Sequence, residues 1–185
     1  LIGTLLTALV VTREWERGTM EAMIATPITK GELIIGKIVP YFALGFISMA
    51  ISVFVTIVLF EVPFRGSYLT LALVSSAFLY CALNLGLMIS TIAENQLIAY
   101  QIAMVTSVLP AYILSGFLFE ISSMPKWIQL LTYIIPAKYF VQCLQTLFLV
   151  GDIWNIILVD IAPMLFIGTL FLFITKRKTA KRLDA

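Results

Sequence analysis

TREWERGTMEAMIATPITKGELIIGKIVPYFALGFISMAISVFVTIVLF, residues Thr12 to Phe60, decides the fold, because its character changes abruptly at Leu33. Up to that point four carboxylates (Glu14, Glu16, Glu21, Glu32) alternate with Arg13, Arg17 and Lys30, so this part belongs in water or against a polar partner. Within it Met20, Met23, Ile24 and Pro27 fall at i, i+3, i+4 and i+7, which puts them on one face of a short helix. Pro27 ends that helix, since the residue before a proline is pushed out of the α region. Thr29 and Glu32 then have capping-box spacing, with Ile28 and Leu33 placed as a hydrophobic staple. The helix so started, from Ile34 to Phe60, is apolar and longer than the ~20 residues that cross a bilayer, which predicts tilt or protrusion, with Pro40 as a candidate kink.

Composition agrees with a membrane protein. Of 185 residues 61% are hydrophobic and 12% charged, with a mean hydropathy of +1.05. A soluble domain carries roughly a quarter charged residues and could not hide this much apolar surface. The net charge is only +2, but five of the twelve Lys/Arg lie in the last ten residues (Lys176, Arg177, Lys178, Lys181, Arg182). That tail abuts an apolar run without interleaved aromatics, so it reads as a membrane-flanking anchor and not as a nucleic-acid surface. There is no histidine, which excludes His triads, His proton relays and most zinc sites. Cys81 and Cys143 stand far apart in apolar surroundings and read as small buried hydrophobes.

The expected architecture is all-α, a polytopic membrane helix bundle forming one domain over 1–185. Residues 1–12 read as the end of a span whose beginning precedes Leu1, so the chain is expected to be the C-terminal part of a longer protein. Residues 13–32 form a polar loop. Full spans are expected at 34–60, 68–91, 97–119 and 153–175, the third interrupted by Pro110 and loosened at Ser115–Gly116. Between the last two, 120–152 reads as interfacial or re-entrant helices. One begins at a serine cap (Ser122–Ser123) ahead of Pro125 and breaks at Pro136; another runs from Ala137 to Val150. Residues 176–185 are a tail. Lys/Arg counts orient the chain: four in Arg13–Lys37 and five in the tail, against one in 61–67, none in 92–96 and two in 120–152. The positive-inside rule therefore places the first loop and the tail in the cytoplasm, and four intervening spans satisfy the parity.

Few residues carry chemistry. Gly31 to Ile38 nearly fits a phosphate-binding loop, but Ile38 stands where a Ser/Thr would hold magnesium and a membrane helix follows. No cofactor is therefore expected on this chain. Asp160 is the carboxylate well inside a span. An intramembrane acid is a functional candidate by default; the competing reading puts it in the wet outer leaflet beside Asp152 and Trp154, supporting a bend at Pro163. Asn84, Gln101 and Thr106 are candidates for a pathway or for helix packing. Ala82, Gly86 and Ser90 form a row of small residues that lets another helix approach, with Asn84 expected on the same face.

Two blocks carry a family resemblance. Glu16-Arg17-Gly18-Thr19-Met20-Glu21, then Thr26-Pro27-Ile28-Thr29 and Glu32-Leu33, resembles the cytoplasmic loop of ABC-2 type exporter permeases. Leu114 to Phe119, Met124-Pro125-Lys126-Trp127 and Tyr133 to Phe140 resemble their last extracytoplasmic segment, with Glu120 departing where many members have proline. The resemblance covers nearly the whole chain and is closest to bacterial multidrug-type permeases. It implies that Glu16, Arg17, Gly18, Thr19, Met20, Glu21, Met23, Ile24, Thr26 and Pro27 form a coupling helix docking on a separate ABC ATPase, which holds the ATP and magnesium. It further implies a second permease copy or homologue, a periplasmic membrane-fusion adaptor, lipid around the spans, a bacterial inner-membrane location and export of drug-like molecules. No nucleic-acid partner is expected. The rival from another class is a channel or ion-coupled carrier using Asp160; an intramembrane enzyme lacks a credible catalytic group.

Overall fold

The computed structural model describes residues 2–19 and 30–183. Its helices are α1 (Ile2–Glu16), α2 (Lys30–Val58), α3 (Tyr68–Ile92), α4 (Gln96–Ile113), α5 (Lys126–Thr132), α6 (Pro136–Leu149) and α7 (Trp154–Leu183). Among the described residues there is no strand, and four helices, within α2, α3, α4 and α7, are long and apolar enough to cross a membrane. The chain is an all-helical, polytopic bundle.

α3 is the central element, packed against α1 and α7 and, less extensively, against α2 and α6. Lipid offers no hydrophobic drive for helices to associate, so close packing and hydrogen bonds must hold them. The α1–α3 contact shows both. A Cβ added at Gly86 would run into Thr7 Oγ1 and the Thr4 carbonyl, so the missing side chain is what lets the two backbones meet. One turn on, Ser90 Oγ accepts from the Val11 and Thr12 amides at 2.9 and 3.1 Å. The small-residue row therefore does face a helix, and that helix is α1. Asn84 does not share the face. It lies one helical step from Cys81, on the flank where Gly168 of α7 approaches Tyr80 and Cys81.

α2 is the outlier. Its apolar side chains point outward, Phe54 being 65% exposed and Ile35, Ile47, Ile51 and Val58 similarly open. Such a surface suits lipid. α2 touches the bundle through Gly45, against Leu79, through Met49 and Val53 on the main core, and through a small apolar cluster of Val11, Ile34 and Leu87.

The third apolar helix is shorter than expected, ending at Ile113 and not Phe119. Pro110 has no amide hydrogen and its ring crowds the carbonyl one turn back. The preceding turn, Met104–Val108, widens to π geometry, with Leu109 N–H reaching the Met104 carbonyl. Leu114 then leaves the helical region and Gly116 turns at φ +85. A second correction concerns the expected serine cap. Pro125 itself occupies the cap position of α5, without a side-chain bond, because Ser123 Oγ is used in donating to the Glu120 carbonyl at 2.7 Å. Pro136 opens α6 as its first residue, where a missing amide hydrogen costs nothing.

The polar turns gather at two ends. At one, both Asp152 carboxylate oxygens accept from Ser67 N–H at 3.0 Å and Arg65 Nη1 donates to the Leu149 carbonyl at 3.1 Å. At the other lie the end of α1, the start of α2 and the 92–96 turn.

Candidate functional site

The second of these ends is the candidate coupling site. α1 closes with Arg17 N–H on the Arg13 carbonyl. Gly18 then adopts φ +69, the left-handed step that ends helices and suits glycine. Thr19 Oγ1 returns to the Glu14 carbonyl at 3.3 Å, so the chain leaves α1 in a defined direction. Met20, Glu21, Met23, Ile24, Thr26 and Pro27 lie outside the described residues, as do Ile28 and Thr29 of the expected capping box and staple.

What the structure supplies is the frame on either side of that stretch. Glu14 on α1 and Lys37 on α2 form an ion pair. It is partly shielded, with side-chain exposures of 27% and 11%, and it stands over the Val11–Ile34–Leu87 cluster. Glu16 on α1 accepts from the Gln96 backbone N–H at 2.7 Å and from the Gln96 side-chain amide. These two bonds, the backbone one first, hold the Glu16 carboxyl below the usual glutamate range. Asn95 caps α4, its Oδ1 accepting from Ile98 N–H at 2.8 Å. The residues before and after the 20–29 stretch are thus tied to each other and to the turn between α3 and α4. Arg17, Gly18 and Thr19 are exposed beside them. Gly31 to Lys37 is helical, so its near-match to a phosphate loop has no loop geometry.

The membrane candidates separate. Gln101 and Thr106 are exposed on α4, Thr106 Oγ1 bonding the Ile102 carbonyl at 2.6 Å. Asn84 is buried, donating to the Tyr80 carbonyl at 2.8 Å while its Oδ1 has no partner among the described residues. Asp160 is 4% exposed. A common buried path would need all four to face inward, and two do not. Asp160 is also not the wetted neighbour of Asp152 that the outer-leaflet reading expects: Asp152 serves Ser67, whereas Asp160 Oδ2 accepts from the Cys143 thiol at 3.8 Å. Beside this contact is Lys138 on α6, a residue the sequence presents only inside a family motif. Its ammonium stands 3.4 Å from the Tyr133 ring centroid, a cation–π distance. Burial lowers the Lys138 pKa, and the Asp160 charge opposes that. A lysine on the inner face of an amphipathic helix is the available signal; its partner is 22 residues away on another helix.

The ABC-2 type transporter family pattern matches residues 1–149. The chain is 48% identical over 184 residues to "Probable multidrug ABC transporter permease YbhS" of Escherichia coli (strain K12), covering 100% of this chain and 49% of that protein. It is 29% identical over 167 residues to "Probable multidrug ABC transporter permease YbhR" of the same organism, covering 90% of this chain and 45% of that one. "Inner membrane transport permease YhhJ", also from that strain, is 25% identical over 175 residues, covering 92% and 46%. The chain spans about half the length of these curated relatives. No solved structure matches it.

Proposed function

Because the chain belongs to the ABC-2 type transporter family, we propose that it is part of a permease that exports hydrophobic or amphipathic, drug-like molecules, driven by a separate ATPase docking at the 16–27 segment. The observation that carries this reading is the bracing of that segment on both sides: Glu14 to Lys37 across α1 and α2, and Glu16 to Gln96. A docking element conveys motion only if its attachments are stiff. Here the chain leaves one braced helix at Glu16 and enters another at Lys30. Met20, Met23 and Ile24 have the spacing to fill a groove on the partner, with Arg17 and Glu21 setting register at its rim, where charges add more to specificity than to affinity, and Glu16 holding the base of the segment through Gln96. The ATPase supplies ATP and magnesium. A second permease, an adaptor outside and a bacterial inner-membrane setting complete the proposal, supported by the relatives' names and by the family. Ion-coupled carriage through Asp160 needs an acid open to ions, and Asp160 is shielded and bonded to Cys143.

Burying one Met or Ile at such a contact contributes roughly 1.5–3 kcal/mol, which is about tenfold or more in affinity. In the full-length protein Met23→Asp and Ile24→Asp should each reduce ATPase co-purification at least tenfold and abolish transport-stimulated ATP hydrolysis, with insertion unchanged. Unaltered co-purification and hydrolysis in both variants would remove the docking role.

A further inference from the structure

At the end of the bundle remote from the coupling site, a polar cavity of about 540 Å³ lies between α6 and the stretch from Ser115 to Ser122. Ser115, Glu120, Ser122, Lys138, Gln142 and Gln145 supply its polar lining. Lys138 is 9% exposed. An ammonium carries three donors, yet among the described residues the Lys138 ammonium makes no hydrogen bond and no salt bridge. It has the Tyr133 ring at 3.4 Å and the Tyr139 ring, more distant, at 5.7 Å. Asp160, on α7, acts on it electrostatically without forming an ion pair, and is not part of the cavity lining. A ring face attracts the charge but leaves the donors unmet. Taking an ammonium out of water without acceptors is strongly unfavourable, and none of the acceptors that line the cavity is bonded to the Lys138 ammonium. The cavity adjoins an apolar groove of about 660 Å³ between α2 and α6, with Phe117, Val141 and Gln145 lining both.

We propose that these adjoining spaces together bind an amphipathic acid, its carboxylate or phosphate head on Lys138 and its apolar body along the groove beside Phe117 and Val141. The Gln142 and Gln145 amides add donors to the head. Glu120 is exposed, where solvent screens its charge against the acid. This names a substrate class for the exporter and rests on that reading; the binding event itself does not require it.

The test uses the full-length permease, without ATPase, in phosphatidylcholine nanodiscs titrated with a fluorescent dodecanoate and with the matching dodecanol. The acid should bind saturably and at least tenfold more tightly than the alcohol. Lys138→Gln should erase that preference and Lys138→Arg should keep most of it. Val141→Glu puts a competing carboxylate one helical turn from Lys138 and should block the acid probe in protein that still elutes as folded. Repeating the titration in phosphatidylglycerol nanodiscs separates two sources of the head group: competition marks an acidic lipid, undiminished binding a free amphipath. Equal affinity for acid and alcohol, or wild-type acid binding by folded Val141→Glu, would overturn the site. Lys138-dependent binding in a permease that fails to export would count against the export reading and leave this site standing.

Discussion

Gly86 and Ser90 act in opposite ways on one face of α3. Gly86 works by absence, letting the Thr4–Thr7 turn of α1 approach, while Ser90 offers an oxygen to two α1 amides. The space at Gly86 is closed partly by backbone, which cannot swing aside. Gly86→Ala gains about 1 kcal/mol of helix propensity but overpacks the contact, which typically costs about 1–3 kcal/mol. Strain should win. A Cβ at Gly31 of α2, by contrast, meets nothing within 4 Å. Thermal unfolding in detergent should therefore show Gly86→Ala melting several degrees lower and Gly31→Ala melting at or slightly above the parent. An unchanged midpoint for Gly86→Ala would mean that α1 does not approach α3 as described. The row of small residues is legible in the sequence because spacing alone puts Ala82, Gly86 and Ser90 on one face. Asn84 is misplaced by the same reading, since two residues along a helix turn a side chain about 200° away.

At the scale of elements, α1 and α2 form the frame of the proposed coupling end, and the Glu14–Lys37 pair is its clasp. Exposed pairs contribute little, with a median of about 0–1 kcal/mol; this one is mostly shielded and lies a helical turn from Val11 and Ile34 of an apolar cluster. Its effect should appear more in coupling than in stability. Lys37→Glu and Glu14→Lys should each reduce transport-stimulated ATP hydrolysis severalfold, and the double swap should recover most of it. Losses that merely add in the double variant would show that the two residues act separately. Neither this clasp nor the Glu16–Gln96 bond is readable from sequence, because the partners lie 23 and 80 residues apart. The end of α4 is hidden for another reason. Apolar composition continues smoothly from Ile113 to Phe119, and only Pro110 and Gly116 mark the π turn and the exit. The length of each apolar run does announce the presence of the long helices, because a run that can cross a bilayer has few alternative structures.

For the whole molecule, polar contacts collect at two ends: Arg65, Ser67 and Asp152 at one, Glu14, Glu16, Lys37 and Gln96 at the other. The all-helical bundle is legible in composition alone, whereas the buried grouping of Lys138, Cys143 and Asp160 depends on how α6 packs against α7. Coupling to an ATPase needs the Arg17 end to face the cytoplasm, where an ATPase can reach it. Arginine and lysine counts predict that orientation. Single-cysteine labelling of intact cells with a membrane-impermeant reagent tests it directly, using full-length protein in which Cys81 and Cys143 have been replaced. Cysteines introduced at Arg65 and Lys126 should be modified from outside, while those at Arg17 and Lys178 should react only after the membrane is opened. Modification at position 17 in intact cells would contradict the account, because the coupling end would then face away from any source of ATP.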